Sequence, residues 1–311
     1  MVGQCPGRSS AESRLKAALR MVTANLTEDT DQRMSAPTES TLHSSPLGQA
    51  TEYPTHYTPS LLHPIPRSEA RSRMGVTDLE GVYGEDVWTC YEFSWLSQKG
   101  MPRVAVLGIR VPISSRSIVE SKSLKLYLNS FAQTRFDSVA DVQHTLDSDL
   151  KLAFMAPLII SLHTPGQTPV TFNPLPGDSL DGLDVEIESY EHDIALLGET
   201  VPESYIKKSW YTDLFRSLCP VTSQPDWASV HIEYAGPEFD PAALLRYLVS
   251  YRNHQAFHES TIEQIFVEMW ATYAPRELSV HGRFLRRGGI EINPFRCCAE
   301  QAAPEVRVVR Q

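Results

Sequence analysis

The sequence predicts an α+β fold made from a duplicated ββααββ unit, with antiparallel sheets and helices on one face. Three observations carry this. Strand-like stretches rich in β-branched and aromatic residues precede pairs of helical patterns. That order occurs twice along the 311 residues. At the same place in each copy, Leu124-x-x-Tyr127-Leu128-x-Ser130-Phe131 and Leu244-x-x-Tyr247-Leu248-x-Ser250-Tyr251 share one spacing, as expected of a repeated supersecondary unit.

Taken in order, residues 1–50 are rich in Ser, Thr, Pro and Gln without sustained periodicity and are expected to form a poorly ordered extension. A first unit is expected over 51–185 and a second over 186–311. Leu61 to Arg67 holds too many prolines for a helix or central strand and is expected to pack as an extended arm. Val87 to Leu96 and Val104 to Val111 flank the turn Gln98-Lys99-Gly100 and predict a hairpin. Leu124, Tyr127, Leu128 and Phe131 recur at i, i+3, i+4, i+7, which predicts a helix from about Glu120; a second runs from Ser138 to about Leu152. In the later copy, strands are expected on either side of Cys219 to Trp227 and over Trp227 to Tyr234. Helices follow over Pro241 to Tyr251 and His258 to Tyr273, then strands over Leu278 to Phe284 and Gly289 to Ile292.

Composition narrows the function. With 41% hydrophobic and 21% charged residues the chain can bury a real core. No apolar run of membrane-spanning length occurs, and Pro157 interrupts Ala153 to Leu162. A net charge of −10 opposes a broad nucleic-acid surface, which needs a basic excess. Five cysteines with no C-x-x-C pair suit neither a disulfide framework nor a four-ligand zinc site, so a reducing, cytoplasmic setting is expected. The basic residues near the start precede no apolar segment of a secretory leader.

Four clusters could carry chemistry. Glu120-Ser121-Lys122-Ser123-Leu124-Lys125 opens a helix, where Glu120 either complements the dipole beside two solvated lysines or accepts two adjacent N–H donors of a guanine-like edge. Cys219 to Trp227 holds a thiol and a carboxylate, Asp226, on a segment that two prolines keep out of helix. The pair is either a nucleophile with a proton donor or a buried Cys with a turn Asp. His258-Glu259 begins a later helix, as a surface pair or a functional one; His254 lies one turn earlier, but no H-E-x-x-H metal motif is present. Arg283-Phe284-Leu285-Arg286-Arg287-Gly288-Gly289 is either a strand turn or a phosphate site that would distinguish NADPH from NADH. No G-x-G-x-x-G follows a strand, so a Rossmann site is not predicted.

Glu120-Ser-Lys-Ser-Leu-Lys-Leu-Tyr127, Cys219-Pro-Val-Thr-Ser-Gln-Pro-Asp-Trp227, Phe257-His258-Glu259 and Arg287-Gly-Gly-Ile-Glu-Ile-Asn-Pro-Phe-Arg296 together resemble the 7-cyano-7-deazaguanine reductases, the QueF family of queuosine biosynthesis, in its long two-unit form. The resemblance runs from about Tyr53 to Arg296. It implies two tandem tunnelling-fold units, a homodimer, and reduction of a nitrile to an aminomethyl group with two NADPH and no metal. By matching motif positions, Cys219 would form a thioimide and Asp226 would donate a proton, with His258 aiding proton movement. Val119, Glu120, Ser121, His258 and Glu259 would line the base, and Ser121, Lys122, Arg287 and Gly288 would contact NADPH. One departure is Leu218, where relatives are expected to carry Asn. The competing readings are a zinc-dependent tunnelling-fold cyclohydrolase and a non-catalytic purine-binding module.

Overall fold

Alternation along the first strand decides where the sheet buries its apolar side. The structure, a computed structural model, describes residues 54–76, 79–164 and 173–311; the expected extension over 1–50 lies outside them. Strand β2 (Tyr83–Ser97) pairs antiparallel with β3 (Pro102–Pro112), as the hairpin pattern predicts. Trp88 and Cys90 are buried on one face, and after a bulge between Cys90 and Phe93 the buried positions become Phe93 and Trp95. A bulge adds one residue and so resets which parity points inward. Gly100 closes the turn at φ +80°, a conformation glycine adopts without a Cβ penalty.

The arm ahead of the hairpin is extended only in part. β1 (Pro64–Pro66) pairs with β4 (Ser117–Val119), but Arg67 opens a helix, α1 (Arg67–Arg73), with Pro66 as its N-cap. Pro66 has no N–H to lose there and supplies the extended cap conformation. After β4 come α2 (Ser121–Ser130), the short β5 (Arg135–Phe136), α3 (Val139–Phe154) and β6 (Ile159–His163). Then come β7 (Asp178–Ser179), β8 (Thr200–Thr212), β9 (Arg216–Leu218) and β10 (Pro225–Phe239). The chain ends its regular structure with α4 (Pro241–Ser250), α5 (His258–Tyr273), β11 (Glu277–Phe284) and β12 (Ile290–Cys297).

Leaving aside the short β9, the second half thus follows the order ββααββ from β8 to β12. Over the described residues, and leaving aside the short β4 and β5, the first half runs ββαα from β2 and one further strand, β6. The repeat extends beyond the matching letters. α2 and α4 each span 10 residues, α3 and α5 each span 16, and the last two both end on a left-handed residue, Met155 and Ala274. Ser130 Oγ donates to the Tyr127 carbonyl at 2.6 Å, and Ser250 Oγ to the Tyr247 carbonyl at 2.7 Å. Tyr127 Oη donates to Asp149 on α3, as Tyr247 Oη donates to Glu268 on α5. Buried hydroxyls need such partners, which is why both Tyr-acid pairs accompany the repeated pattern.

Apart from the β1–β4 pair, the strands form one sheet in the order β6-β3-β2-β12-β11-β10-β8-β7, with β5 on β2 and β9 on β10. Its halves meet at the antiparallel β2–β12 ladder, where Ile290 faces Cys90 and Ile292 faces Trp88. All helices except α1 pack on the face carrying two apolar clusters: Leu124, Tyr127, Leu128 and Phe131 sit in one, and Leu244, Tyr247, Leu248 and Tyr251 in the other. β8 is a 13-residue strand on the near side of Cys219, where a strand was expected without bounds; only Trp210 and Thr212 of it are buried, so its apolar period is weak. β10 begins at Pro225, inside the segment expected to separate two strands, while β9 ends just before Cys219.

Candidate active site

The seam between the halves opens into a cavity of about 380 Å³, within the usual size of small-molecule sites. Its walls bring together all ten residues singled out from the sequence. β4 and the start of α2 supply Val119, Glu120, Ser121 and Lys122. The loop after β9 and the start of β10 supply Cys219 and Asp226; α5 supplies His258 and Glu259; and the turn before β12 supplies Arg287 and Gly288.

Glu120 is set by the arm and the helix together. Its N–H donates to the His63 carbonyl at 3.0 Å. Its carboxylate caps α2, accepting from Lys122 N and Ser123 N, each at 2.8 Å. Both oxygens are therefore engaged in capping, each with further acceptor capacity toward a ligand. Burial raises its pKa, and the two backbone donors offset only part of that.

Cys219 is a half-buried free thiol on a closed turn. Its N–H donates to the Gln224 carbonyl at 2.9 Å and its carbonyl accepts from Ser223 N at 3.0 Å. Ser223 has φ +55°, a left-handed conformation that closes this turn. Leu218 N donates to the His254 carbonyl and the Leu218 carbonyl accepts from Ala256 N, so the residue before the thiol is clamped through its backbone. A Leu side chain is compatible with that clamp because no side-chain atom takes part in it.

Asp226 is buried, with Arg287 Nη2 at 2.9 Å and His258 Nε2 at 3.2 Å. His258 lies flat on the Phe284 ring, centroids 3.8 Å apart, and its buried Nδ1 has no hydrogen-bond partner. Glu259, buried at the N-terminal turn of α5, has its pKa raised to about 7 by burial and then by Asp86, with His258 and Arg67 opposing. An acid in that range changes state on binding, because ligand N–H donors favour its carboxylate form.

The cationic segment is not one site. Arg283 is buried and donates to the Pro304 carbonyl, Arg286 lies over the Tyr91 ring, and only Arg287 lines the cavity. Arg283 lies within β11, whereas Arg286 and Arg287 lie beyond its end at Phe284, in the turn that leads to β12. Instead, Arg287 is joined at the wall by Lys122 and Lys125. Lys125 was not among the expected site residues, although i, i+3 spacing puts it on the Lys122 face of α2. Gly288 has φ +56°, and a Cβ there would collide with Lys125 Nζ.

Trp88, Phe257, Leu285, Ile290 and Ile292 complete the apolar wall. Phe257 stood beside His258 in the sequence; Trp88 carried no signal, being brought in by strand pairing. The i, i+4 pair His254 and His258 diverges: His254 packs on His192 and Tyr251, His258 on Phe284. Among the described residues no group of three or more His, Cys, Asp or Glu is arranged to hold a metal.

Comparisons with known proteins converge on one family. A family profile described as nitrile reductase, 7-cyano-7-deazaguanine-reductase N-term, matches residues 53–162, and one described as QueF-like protein matches 225–303. Glu120 falls in the first span, Asp226, His258, Glu259 and Arg287 in the second, and Cys219 between them. The NADPH-dependent 7-cyano-7-deazaguanine reductase of Dechloromonas aromatica is 48% identical over 86% of this chain and 96% of its own. The protein of the same name from Burkholderia ambifaria is 46% identical over 86% and 98%. A solved structure, the archaeosine synthase QueF-Like in the apo form, aligns at 19% identity and TM-score 0.26 over 30% of this chain and 91% of that one, too little to bear on the fold.

Proposed function

Given that this chain belongs to the 7-cyano-7-deazaguanine reductase family, we propose that it reduces the nitrile of 7-cyano-7-deazaguanine to an aminomethyl group with two NADPH, in queuosine biosynthesis. The observation that carries the reading is the joining, in one cavity, of a free thiol, a buried acid in contact with a histidine, and two buried glutamates.

A nitrile carbon is only modestly electrophilic, so covalent capture lowers the barrier to reduction. The Cys219 sulfur bonds to that carbon as one C–N π bond breaks. Asp226 passes the nitrogen a proton, which the thiol replaces, leaving a thioimide on Cys219. NADPH supplies a hydride at each of two stages, the first releasing sulfur and the second completing the amine. His258, in contact with Asp226 through Nε2, aids movement of that proton. Val119, Glu120, Ser121, His258 and Glu259 meet the base, the two carboxylates accepting its N–H donors. Ser121, Lys122 and Arg287 meet the anionic part of NADPH. Gly288, whose missing Cβ leaves room beside Lys125, lets that part approach the backbone.

The chain divides into a first unit over 51–185 and a second over 186–311, a division supported by the two apolar clusters, with Val76, Val82, Ile113 and Leu180 packing across it one way and Ile290 and Ile292 the other. We place the protein in the cytoplasm as a homodimer that takes a small deazapurine and no nucleic acid, in keeping with its net charge of −10.

The test is the intact mass and absorbance of the protein mixed with 7-cyano-7-deazaguanine and no NADPH, beside Cys219→Ala. An adduct of whole-substrate mass that requires Cys219 and disappears on adding NADPH is expected. Tight reversible binding without an adduct would replace this reading with a purine-binding module.

A further inference from the structure

We infer that a buried cluster of Arg67, Arg71, Arg296, Asp86 and Glu263 is a positioning device that aims Glu259 into the cavity and sets the balance of charge around it, so that the cavity selects a ligand edge carrying adjacent N–H donors. This rests on the reading of Glu259 as a residue that meets the base.

The cluster is continuous and reaches Glu259 directly. Arg296 Nε donates to Glu263 at 3.0 Å, its Nη1 to Asp86 at 2.8 Å, and its Nη2 to the Glu259 backbone carbonyl at 3.3 Å. Arg67 donates to the other oxygen of Asp86, and Arg71 Nε to Glu263 at 2.7 Å. Asp86 belongs to β2 and Arg67 and Arg71 to α1, whereas Glu263 and Arg296 belong to α5 and β12. A cluster shared by both halves therefore fixes the first turn of α5, where His258 and Glu259 sit. Arg296 and Asp86 are fully buried, and Arg67 and Glu263 nearly so.

Charge gives the cluster its second role. Three guanidinium groups face two carboxylates, leaving one positive charge in excess. Burial raises Asp86 and Glu263, but Arg296 with Arg67, and Arg296 with Arg71, outweigh it, so both acids stay ionised. An uncompensated buried charge is strongly unfavourable. A Glu259 carboxylate is such a charge, and a ligand donating N–H groups stabilises it. The groups acting on Glu259 have opposite signs: Asp86 from β2 disfavours its ionisation, whereas His258 and Arg67 favour it. Glu120, Lys122, Asp226 and Arg287 face it across the cavity. A neutral amide at 259 could not accept two N–H donors side by side.

The sign of the coupling makes it testable. Removing Arg67's cation raises the pH above which Glu259 is ionised; removing Asp86's anion lowers it. Binding of 7-cyano-7-deazaguanine is to be measured by calorimetry from pH 6 to 9, without NADPH, in the full-length Cys219→Ala protein. Arg67→Met should move the midpoint of affinity against pH upward by about one unit, about tenfold at the affected pH, with affinity recovering by pH 9. Arg67→Lys should leave the midpoint in place, and Asp86→Asn should move it down. Both Arg67→Met and Asp86→Asn break buried pairs, so a purely structural role would weaken binding alike at every pH. Unchanged binding by Glu259→Gln would remove the reading of Glu259, and this inference with it. If Glu259→Gln binds weakly but the midpoint is unmoved by Arg67→Met and Asp86→Asn, or moves the same way in both, Glu259 keeps its role and the cluster loses its own.

Discussion

Replacing Glu259 with Gln removes a carboxyl that the fold holds against its own ionisation. Burial, then Asp86, raises its pKa from 4.5 to about 7. Between those values the ligand-free native state binds more protons than the unfolded chain, so this group's contribution to stability falls as pH rises. It is fully present below the unfolded value and lost on passing pH 7. The separation corresponds to about 3 kcal/mol at 1.36 kcal/mol per pH unit. A Gln at 259 does not titrate. The stability of Glu259→Gln minus that of the parent should therefore grow by about 2–3 kcal/mol from pH 5 to pH 8, about 3–5 °C in Tm for a chain of this size. The buried histidines titrate in both proteins and largely cancel. Paired urea and thermal melts at pH 5, 6.5 and 8 measure this. A constant offset, or a difference that shrinks toward high pH, refutes the argument that burial and Asp86 hold Glu259 near neutrality.

Three further outcomes follow from the site. Glu120→Ala strips two N–H groups of their acceptor at the start of α2 and should cost about 1–2 kcal/mol in urea denaturation, with weaker nitrile binding by calorimetry. Gly288→Ala forces a left-handed residue against Lys125; it should cost about 1 kcal/mol and raise KM for NADPH several-fold while leaving KM for the nitrile nearly unchanged in steady-state kinetics. Dialysis against a chelator should leave turnover intact, and activity lost and then restored by zinc would favour the cyclohydrolase reading.

Much of this architecture was legible in the letters because its signals are local. Periodicity placed α5 at His258–Tyr273 without error and α3 within two residues. The hairpin lay in two β-branched runs around Gly100. The candidate chemical residues, a thiol and an acid on a segment with Pro220 and Pro225 and two acids at helix starts, were visible because residue type and local position can be read from a single segment. The bounds of β8 were not legible: its largely exposed side chains give only a weak period, and its pairing with β10 is settled across the sheet.

By itself, then, the sequence determined the repeated unit, the helix faces and the residue types available for chemistry, since these follow from spacing along a single segment. Only the tertiary structure decided that Arg283 and Arg286 turn away from the cavity while Lys125 lines it, and that Asp86, over 170 residues from Glu259, helps set its charge state. Those outcomes depend on the β2–β12 ladder bringing the two halves together, and on burial strengthening the charge interactions there beyond what either segment would have in water.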